Sequence, residues 1–115
     1  MKKYIKVKEN PAKITHLKIE LYYNKGNFEN CYREEKRGYY LSVVPIERKE
    51  RNGYTVEIFG AFTGVKQLIK EVTRKSSKAE IEAEKLSLKA MDNLINYVCH
   101  ENNLEIAAES EAIPA

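Results

Sequence analysis

Two cysteines and two histidines are the side chains of this sequence best suited to nucleophilic catalysis. Cys99 is followed directly by His100, and Cys31 would have to use His16 as its base. Such a pair also needs a third group that orients the base, together with donors that stabilise an oxyanion. The sequence identifies neither, so it predicts no catalytic residues and no enzyme. We interpret His16 as a surface histidine and Cys99 as a packed thiol.

The same inventory argues against a metal site or a disulfide framework. Cys31 and Cys99 are too few and too poorly spaced for a disulfide framework or a zinc site, and His16 and His100 are the only histidines. We therefore expect reduced thiols, no metal and no other cofactor. No apolar run approaches the roughly 18 residues of a membrane span, and the N-terminus lacks the apolar segment of a signal peptide. The prediction is a cytoplasmic protein without membrane contact.

A glycine-rich segment at residues 60–66 is similar in composition to turns that bind phosphate ahead of a helix. Backbone N–H groups at a helix N-terminus attract anions. The segment lacks the GxxxxGK[ST] spacing of a P-loop. Two interpretations stay open at this point, an anion site or a plain connection from a strand to a helix.

A combination of tyrosines with lysines and arginines is the richest functional signal in the sequence. The chain has eight tyrosines and no tryptophan. Bases of single-stranded nucleic acid stack on aromatic rings while cations neutralise the phosphates, and neither contact needs a particular base sequence. Tyrosine also favours strands, and we assign Tyr23, Tyr39 and Tyr54 to buried faces. The predicted nucleic-acid-binding residues are Lys18, Tyr22, Arg33, Lys36, Arg37, Tyr40 and Arg48.

The charges are divided unevenly along the chain. Residues 1–78 contain 18 Lys and Arg against 9 Glu, whereas residues 79–115 contain 2 against 8 acidic residues. The first part therefore carries +9 and the second −6, which gives the overall +3. A basic half of this kind is suited to a polyanionic partner. The plainer interpretation is that these charges only keep a small domain soluble.

Alternation of apolar and polar residues predicts the strands that would carry the basic and aromatic side chains. In the first of them Leu17, Ile19 and Leu21 face one way and Lys18 and Tyr22 the other. Pro45 has no N–H for a ladder, so its strand should lie at an edge or carry a bulge there. The predicted strands cover residues 15–23, 38–46 and 54–59, with a further one at 28–33 and a turn at 52–53.

Two helices are predicted after the strands. Val65, Leu68, Ile69 and Val72 have the spacing of one face of a short helix. A long helix should run from about residue 77 to about residue 102, starting with a capping box formed by the side chains three residues apart at positions 77 and 80.

The long helix carries more apolar surface than one sheet can cover. Its apolar arc spans roughly 220°, whereas a surface helix needs a stripe of little more than about 100°. We therefore expect one side to pack on its own domain and the other on a second copy of the chain. The predicted oligomer interface consists of Leu88, Met91, Ile95 and Val98.

Together these elements predict an α+β fold in which an antiparallel meander of three to four strands packs on a short helix and a long C-terminal helix. Residues 1–13 should form a basic N-terminal arm that includes a short strand at about residues 4–7. Residues 14–103 should form the single α+β domain, and residues 104–115 an acidic, flexible tail.

This order of elements resembles that of the Whirly proteins and of the transcriptional positive cofactor four family. The resemblance lies in basic, tyrosine-bearing antiparallel strands followed by one long helix, over about residues 14–102. It implies a homodimer that binds single-stranded DNA on its sheet.

The functional prediction is a non-catalytic protein that binds single-stranded DNA or RNA without strong sequence preference and forms homo-oligomers. The alternative is an interaction or regulatory module whose long amphipathic helix docks a partner protein. In that case the basic half would only be a solvated surface.

Overall fold

The computed structural model describes residues 1–26, 36–60, 62–107 and 113–114. These residues form an antiparallel sheet packed on one long helix, which confirms the α+β class and the C-terminal helix. The strands are β1 (Lys2–Lys6), β2 (His16–Asn24), β3 (Gly38–Arg51), β4 (Tyr54–Ile58), β5 (Val65–Glu71) and β6 (Ile113–Pro114), and the helix is α1 (Ser77–Asn102).

Strand β3, with 14 residues, is the centre of the sheet. The strand order is β4-β3-β2-β1-β6, and β5 also pairs with β3. Strand β2 lies along one edge of β3, opposite residues 38–46. Along the other edge, β5 pairs with residues 38–43 and β4 with residues 47–51, so two short strands share that edge.

Pro45 lies opposite the gap between β4 and β5. The Ile46 carbonyl accepts a hydrogen bond from the Thr15 N–H on the β2 side. Since successive residues of a strand direct their backbone polar groups to opposite edges, Pro45 turns its nitrogen toward the β4 and β5 edge. That nitrogen has no hydrogen to donate, and the outer strand is interrupted there. Pro45 therefore lies at an edge only locally: β3 has neighbours on both sides, and the outer neighbour is interrupted at Pro45.

The turn between β3 and β4 is as predicted. Asn52 and Gly53 both have positive φ, 52° and 80°. This is the conformation that Asn-Gly favours in two-residue hairpins, because its twist matches that of the strands. Tyr54 follows the turn directly and is exposed, so its assignment to a buried face was wrong.

The predicted short helix at residues 65–72 is wrong, because this segment is strand β5. Tyr39 pairs with Lys70 and Tyr40 with Leu68, which leaves Ile69 as an extra residue in a bulge. A bulge of this type shifts the alternation of the strand by one residue. Val65 and Ile69 therefore face the core before the shift and Val72 after it. Because of the bulge, the apolar residues of β5 are spaced like those on one face of a helix.

Part of the predicted N-terminal arm belongs to the sheet. Strand β1 pairs with β2 over its whole length, and Tyr4 and Val7 are buried. The start of the predicted tail also packs on this edge, because Leu104 is buried and the Ala107 N–H donates to the Lys6 carbonyl. Farther along the tail, β6 pairs with β1. Residues 108–112 and the predicted strand at residues 28–33 lie outside the described residues.

Small side chains allow α1 to approach the sheet closely. Ala79, Ala83 and Ser87 are spaced one turn apart on the buried face, and the fully buried Ser87 hydroxyl donates to the Ala83 carbonyl. This bond satisfies the hydroxyl inside the core, where an unpaired one would be costly. The N-cap is Ser76, one residue before the predicted one, and its hydroxyl accepts from the Ala79 N–H.

The buried face of α1 differs from the predicted division into two stripes. Met91, Ile95 and Val98 pack in the core of the same chain, so these three cannot form an oligomer interface while the fold is intact. Of the four predicted interface residues only Leu88 is exposed, with 61% of its surface accessible. The sheet covers the middle of the apolar arc and leaves residues on both flanks exposed. These flanking residues are Ile81, Leu86, Leu88 and Tyr97.

Within the described part of the chain, no helix has the length and apolar character needed to cross a membrane.

Gly38 should be the glycine that tolerates substitution least, because β3 and β5 approach each other closely there. A Cβ at this position would lie 2.2 Å from the Lys70 carbonyl oxygen and 2.9 Å from the Glu71 Cα. Backbone atoms cannot move away without breaking the pairing, so Gly38→Ala should lower the free energy of unfolding by about 2–4 kcal/mol. Urea denaturation measures this change.

Gly53→Ala is the matched control, since its Cβ would meet no atom within 4 Å. Holding alanine at the positive φ of this position should lower the free energy of unfolding by about 1–2 kcal/mol. Equal losses for the two variants would contradict the close approach of β3 and β5.

Candidate nucleic-acid interface

The sheet has one face covered by α1 and a second face that we call the open face. Register assigns the side chains to it, because Tyr4, Lys18 and Val44 are cross-strand partners, as are Tyr22 and Tyr40. The predicted wet face of the strand at residues 15–23 therefore corresponds to the open face. Its basic and aromatic side chains form two separate groups.

The first group, the Glu57 cluster, consists of Tyr4, His16, Lys18, Arg48 and Glu57. The Lys18 ammonium donates to Glu57 Oε1 at 2.8 Å, and the Tyr4 hydroxyl donates to Glu57 Oε2. Glu57 and Arg48 are paired on the β3–β4 hairpin, whereas Tyr4 and Lys18 belong to β1 and β2. These bonds fasten the base of the hairpin over the open face.

The ion pair in this cluster is well shielded from water. The side chains of Lys18 and Glu57 are only 16% and 19% exposed. Burial alone would raise the pKa of Glu57, but hydrogen bonds from Lys18 and Tyr4 outweigh it and hold the pKa below its ordinary value. Burial would likewise lower the pKa of Lys18, and its bond to Glu57 raises the pKa instead. Each side chain therefore stays charged because its partner is charged, as expected of a partly buried pair.

Arg48 and His16 complete the cluster around the Tyr4 ring. The Arg48 guanidinium lies 4.2 Å from the ring centre, within the range of a cation–π contact. The His16 ring packs edge-on against Tyr4, with the ring centres 6.3 Å apart. Burial, followed by the positive charges of Arg48 and Lys6, lowers the pKa of His16. The predicted surface histidine is therefore a half-buried part of the cluster.

The second group, which we call the tyrosine groove, is lined by Tyr22, Ser42, Val44, Gly64, Val65 and Lys66. Its volume is about 390 Å³. The rings of Tyr22 and Tyr40 stack beside it with centres 6.0 Å apart and planes inclined by 22°. The Lys66 ammonium lies 5.7 Å from the centre of the Tyr40 ring. The groove thus combines stacked aromatic rings with a cation.

Tyr40 is the fixed member of the stacked pair. It is only 7% exposed, and its hydroxyl donates to the Lys36 carbonyl at 2.7 Å. Tyr22 is half-buried and forms part of the groove wall. The stack therefore holds the Tyr22 ring in one orientation next to the groove.

The groove results from the interruption of the outer strand. Opposite Pro45 the chain leaves β4 and returns as β5, and Gly64 marks the return. A Cβ on Gly64 would lie 3.2 Å from both the Val43 carbonyl oxygen and Val44 Cγ2. Glycine therefore lets β5 come close to β3 at the end of the groove.

The structure divides the predicted binding residues between the two groups. Tyr22 and Tyr40 lie at the tyrosine groove. Lys36 and Arg37 are exposed just before β3, where Lys36 accepts from the Tyr40 hydroxyl through its carbonyl and Arg37 borders the connection between β5 and α1. Lys18 and Arg48 belong to the Glu57 cluster instead. Arg33 lies outside the described residues.

Sequence reasoning missed Lys66, Glu57 and Tyr4. Lys66 was assigned to a helix, so its position opposite Ser42 on the open face could not be foreseen. Glu57 and Tyr4 are 53 residues apart in sequence, and they meet only in the folded chain. Glu57 is the one charged residue of β4, and this was the one available signal for it.

The glycine-rich turn at residues 60–66 is not a helix N-terminus, because it leads into β5. The Asn102 side chain anchors it by donating to the Thr63 carbonyl at 2.8 Å and accepting from the Thr63 N–H at 3.1 Å. The anion site that depends on a following helix is therefore excluded, and the segment is a connection between two strands.

A larger groove of about 530 Å³ lies between the β1–β2 connection and β3. Lysines and glutamates line it together with apolar residues, but no aromatic side chain does. It therefore lacks a surface on which a base could stack.

Among the described residues no group of three or more His, Cys, Asp or Glu is placed to hold a metal ion. Cys99 is half-buried, and burial raises the pKa of its thiol, which disfavours the reactive thiolate.

No protein-family model matches this chain, and neither a curated protein nor a solved structure matches it.

His16 should make folding stability depend on pH around and below its ordinary pKa of 6.5. Its pKa in the folded state lies below the ordinary value of 6.5, so folding favours the neutral ring. The contribution is complete above about pH 6.5 and is lost as the pH falls through the lower folded value. Urea denaturation across this range should show a loss of stability that His16→Gln reduces.

His100→Gln is the control, because His100 is exposed on α1. The part of the pH dependence that His16→Gln removes beyond that removed by His100→Gln belongs to the Glu57 cluster. If His16→Gln leaves the dependence unchanged, the packing of His16 against Tyr4 and Arg48 does not determine it.

Proposed function

We propose that this protein binds single-stranded nucleic acid, without strong sequence preference and without catalysis, at the tyrosine groove of its open face. The observation that carries the proposal is the stacked Tyr22–Tyr40 pair with Lys66 beside it. An unpaired base can extend such a stack, because every base has a flat π-face. Either DNA or RNA provides that surface.

The fixed position of the rings supports this function. Tyr40 is buried and hydrogen-bonded through its hydroxyl, and it supports Tyr22 from one side. A ring that is already ordered loses little conformational freedom when a base packs on it. The stack is therefore a better platform than the exposed Tyr54 at the hairpin turn would be.

Two exposed cations lie close to the stacked rings: Lys66 lines the groove, and the Lys36 carbonyl accepts from the Tyr40 hydroxyl. Lys36 pairs with Glu71 at 3.9 Å, but these side chains are 68% and 62% exposed. Such surface pairs contribute only about 0–1 kcal/mol, so a phosphate can replace the carboxylate at little cost. The shielded Lys18–Glu57 pair would leave a buried charge behind if it were broken. Lys36 and Lys66 are therefore the proposed phosphate contacts.

A protein-interaction module is the second candidate function. The observation in its favour is that four large apolar side chains on the flanks of α1 are exposed. Exposed apolar residues that share one surface are typical of interaction sites. This function would use the helix layer, whereas nucleic-acid binding would use the opposite face of the sheet.

Fluorescence anisotropy with a labelled single-stranded oligothymidylate tests the proposed function. Tyr22→Ala should weaken binding by about tenfold, since stacking on an aromatic ring contributes about 1–3 kcal/mol per base. Lys66→Gln should weaken it less and make the salt dependence shallower. With two phosphate contacts, the slope of log K against log[salt] should be about −1.4 in the wild type and nearer −0.7 in the variant.

Tyr54→Ala and Lys89→Gln are the matched controls, because both residues are exposed and Lys89 lies on α1. They should bind like the wild type, and a duplex of the same length should bind more weakly. No binding of the single strand at low salt, or equal losses in the control variants, would contradict the proposal.

A further inference from the structure

One flank of α1 carries a row of exposed residues that we call the Leu88 seam, made up of Ile81, Lys85, Leu88 and Asp92. Ile81 is 54% exposed and Leu88 61%, and Lys85 and Asp92 are exposed as well. At about 100° per residue the four positions fall within roughly 60° of one another. The seam is therefore a narrow, continuous stripe with apolar and charged residues in alternation.

The two charges of the seam have opposite sign and no salt bridge within the described part of the chain. They cannot pair with each other, because seven residues of helix separate them by about 10.5 Å. Leu88 lies between them. A cation, an apolar residue and an anion thus follow one another along the stripe.

We propose that the Leu88 seam joins two copies of this chain as an antiparallel helix pair. In that arrangement Lys85 of one copy meets Asp92 of the partner subunit, and symmetry produces a second, identical ion pair. The Leu88 side chains of the two copies pack on each other near the two-fold axis. A parallel pair would instead place each charge against the same charge, which is unfavourable.

The other exposed flank does not have this self-complementarity. Leu86 lies one turn after Glu82 on the helix surface, and Glu82 is already paired with Lys70 at 2.7 Å. Tyr97 lies about 16 Å farther along the same flank. Lys89 is also exposed on this flank, but Glu82, seven residues before it, is held by Lys70, whereas neither charge of the Leu88 seam has a salt bridge among the described residues. Charge therefore selects both the surface and the direction of the partner helix.

The proposed interface is small, and this determines the strength of association. Two large apolar residues per copy bury less than the roughly 1,200 Å² of ordinary stable interfaces, so association should be reversible and concentration-dependent. Sedimentation equilibrium over about 5–500 μM covers the corresponding range of dissociation constants. The wild type should dimerise within this range.

Charge reversal tests the antiparallel pairing directly. Lys85→Asp and Asp92→Lys should each weaken dimerisation by about tenfold or more, because each places like charges opposite one another twice. The double variant Lys85→Asp/Asp92→Lys should dimerise like the wild type. An equimolar mixture of the two single variants should form heterodimers, because each then supplies the charge that the other needs.

Leu88→Glu should give a monomer, and Leu86→Glu on the other flank should leave dimerisation unchanged. Circular dichroism and thermal unfolding confirm that each variant is folded. A wild type that stays monomeric over the whole range, or single reversals that associate like the wild type, would overturn the proposal.

The test is independent of the proposed nucleic-acid binding. The seam lies on the helix layer, so the folded Leu88→Glu variant should bind a short oligonucleotide as tightly as the wild type. Loss of dimerisation with intact binding supports both proposals. Dimerisation without oligonucleotide binding would overturn only the proposed function.

Discussion

The missing N–H of Pro45 is the constraint on which the arrangement of the sheet depends. Because proline cannot donate a hydrogen bond to the outer strand, that strand is divided into β4 and β5. The division leaves an opening beside Val44, which becomes the tyrosine groove. It also separates the β3–β4 hairpin from the rest of the outer edge, and the base of this hairpin is fastened over the open face through Glu57.

Burial decides what the basic residues of the open face can do. Lys18 and Lys36 both pair with a glutamate, yet the first pair is largely shielded and the second is mostly exposed. A shielded pair holds two strands together because breaking it leaves an unpaired charge in a poorly solvated place. An exposed pair gives up its partner at little cost. The same residue type therefore holds strands together in the Glu57 cluster and stays exposed just before β3.

The apolar residues of α1 are likewise divided between those that pack on the sheet and those that stay exposed. Ala79, Ala83 and Ser87 bring α1 close to the sheet, so the middle of its apolar arc is covered first. Since a flat sheet contacts only part of a cylinder, the two flanks of the arc remain outside. The width of the arc was evident in the sequence, but which residues lie in its middle depends on how the helix is rotated on the sheet. That rotation places Met91, Ile95 and Val98 inside and Leu88 outside.

The sequence by itself determined the elements whose signals are local. Alternation identified β2 and β3, Asn52-Gly53 identified the hairpin, and the uninterrupted apolar periodicity identified α1. Tertiary structure decided the rest. The bulge at Ile69 made β5 resemble a helix, and pairing with β2 drew the N-terminal segment into the sheet. Tertiary structure also placed Lys18 in a different group from Tyr22 and Tyr40. Lys18 bonds to Glu57, 39 positions away, and such a bond leaves no trace in the local sequence pattern.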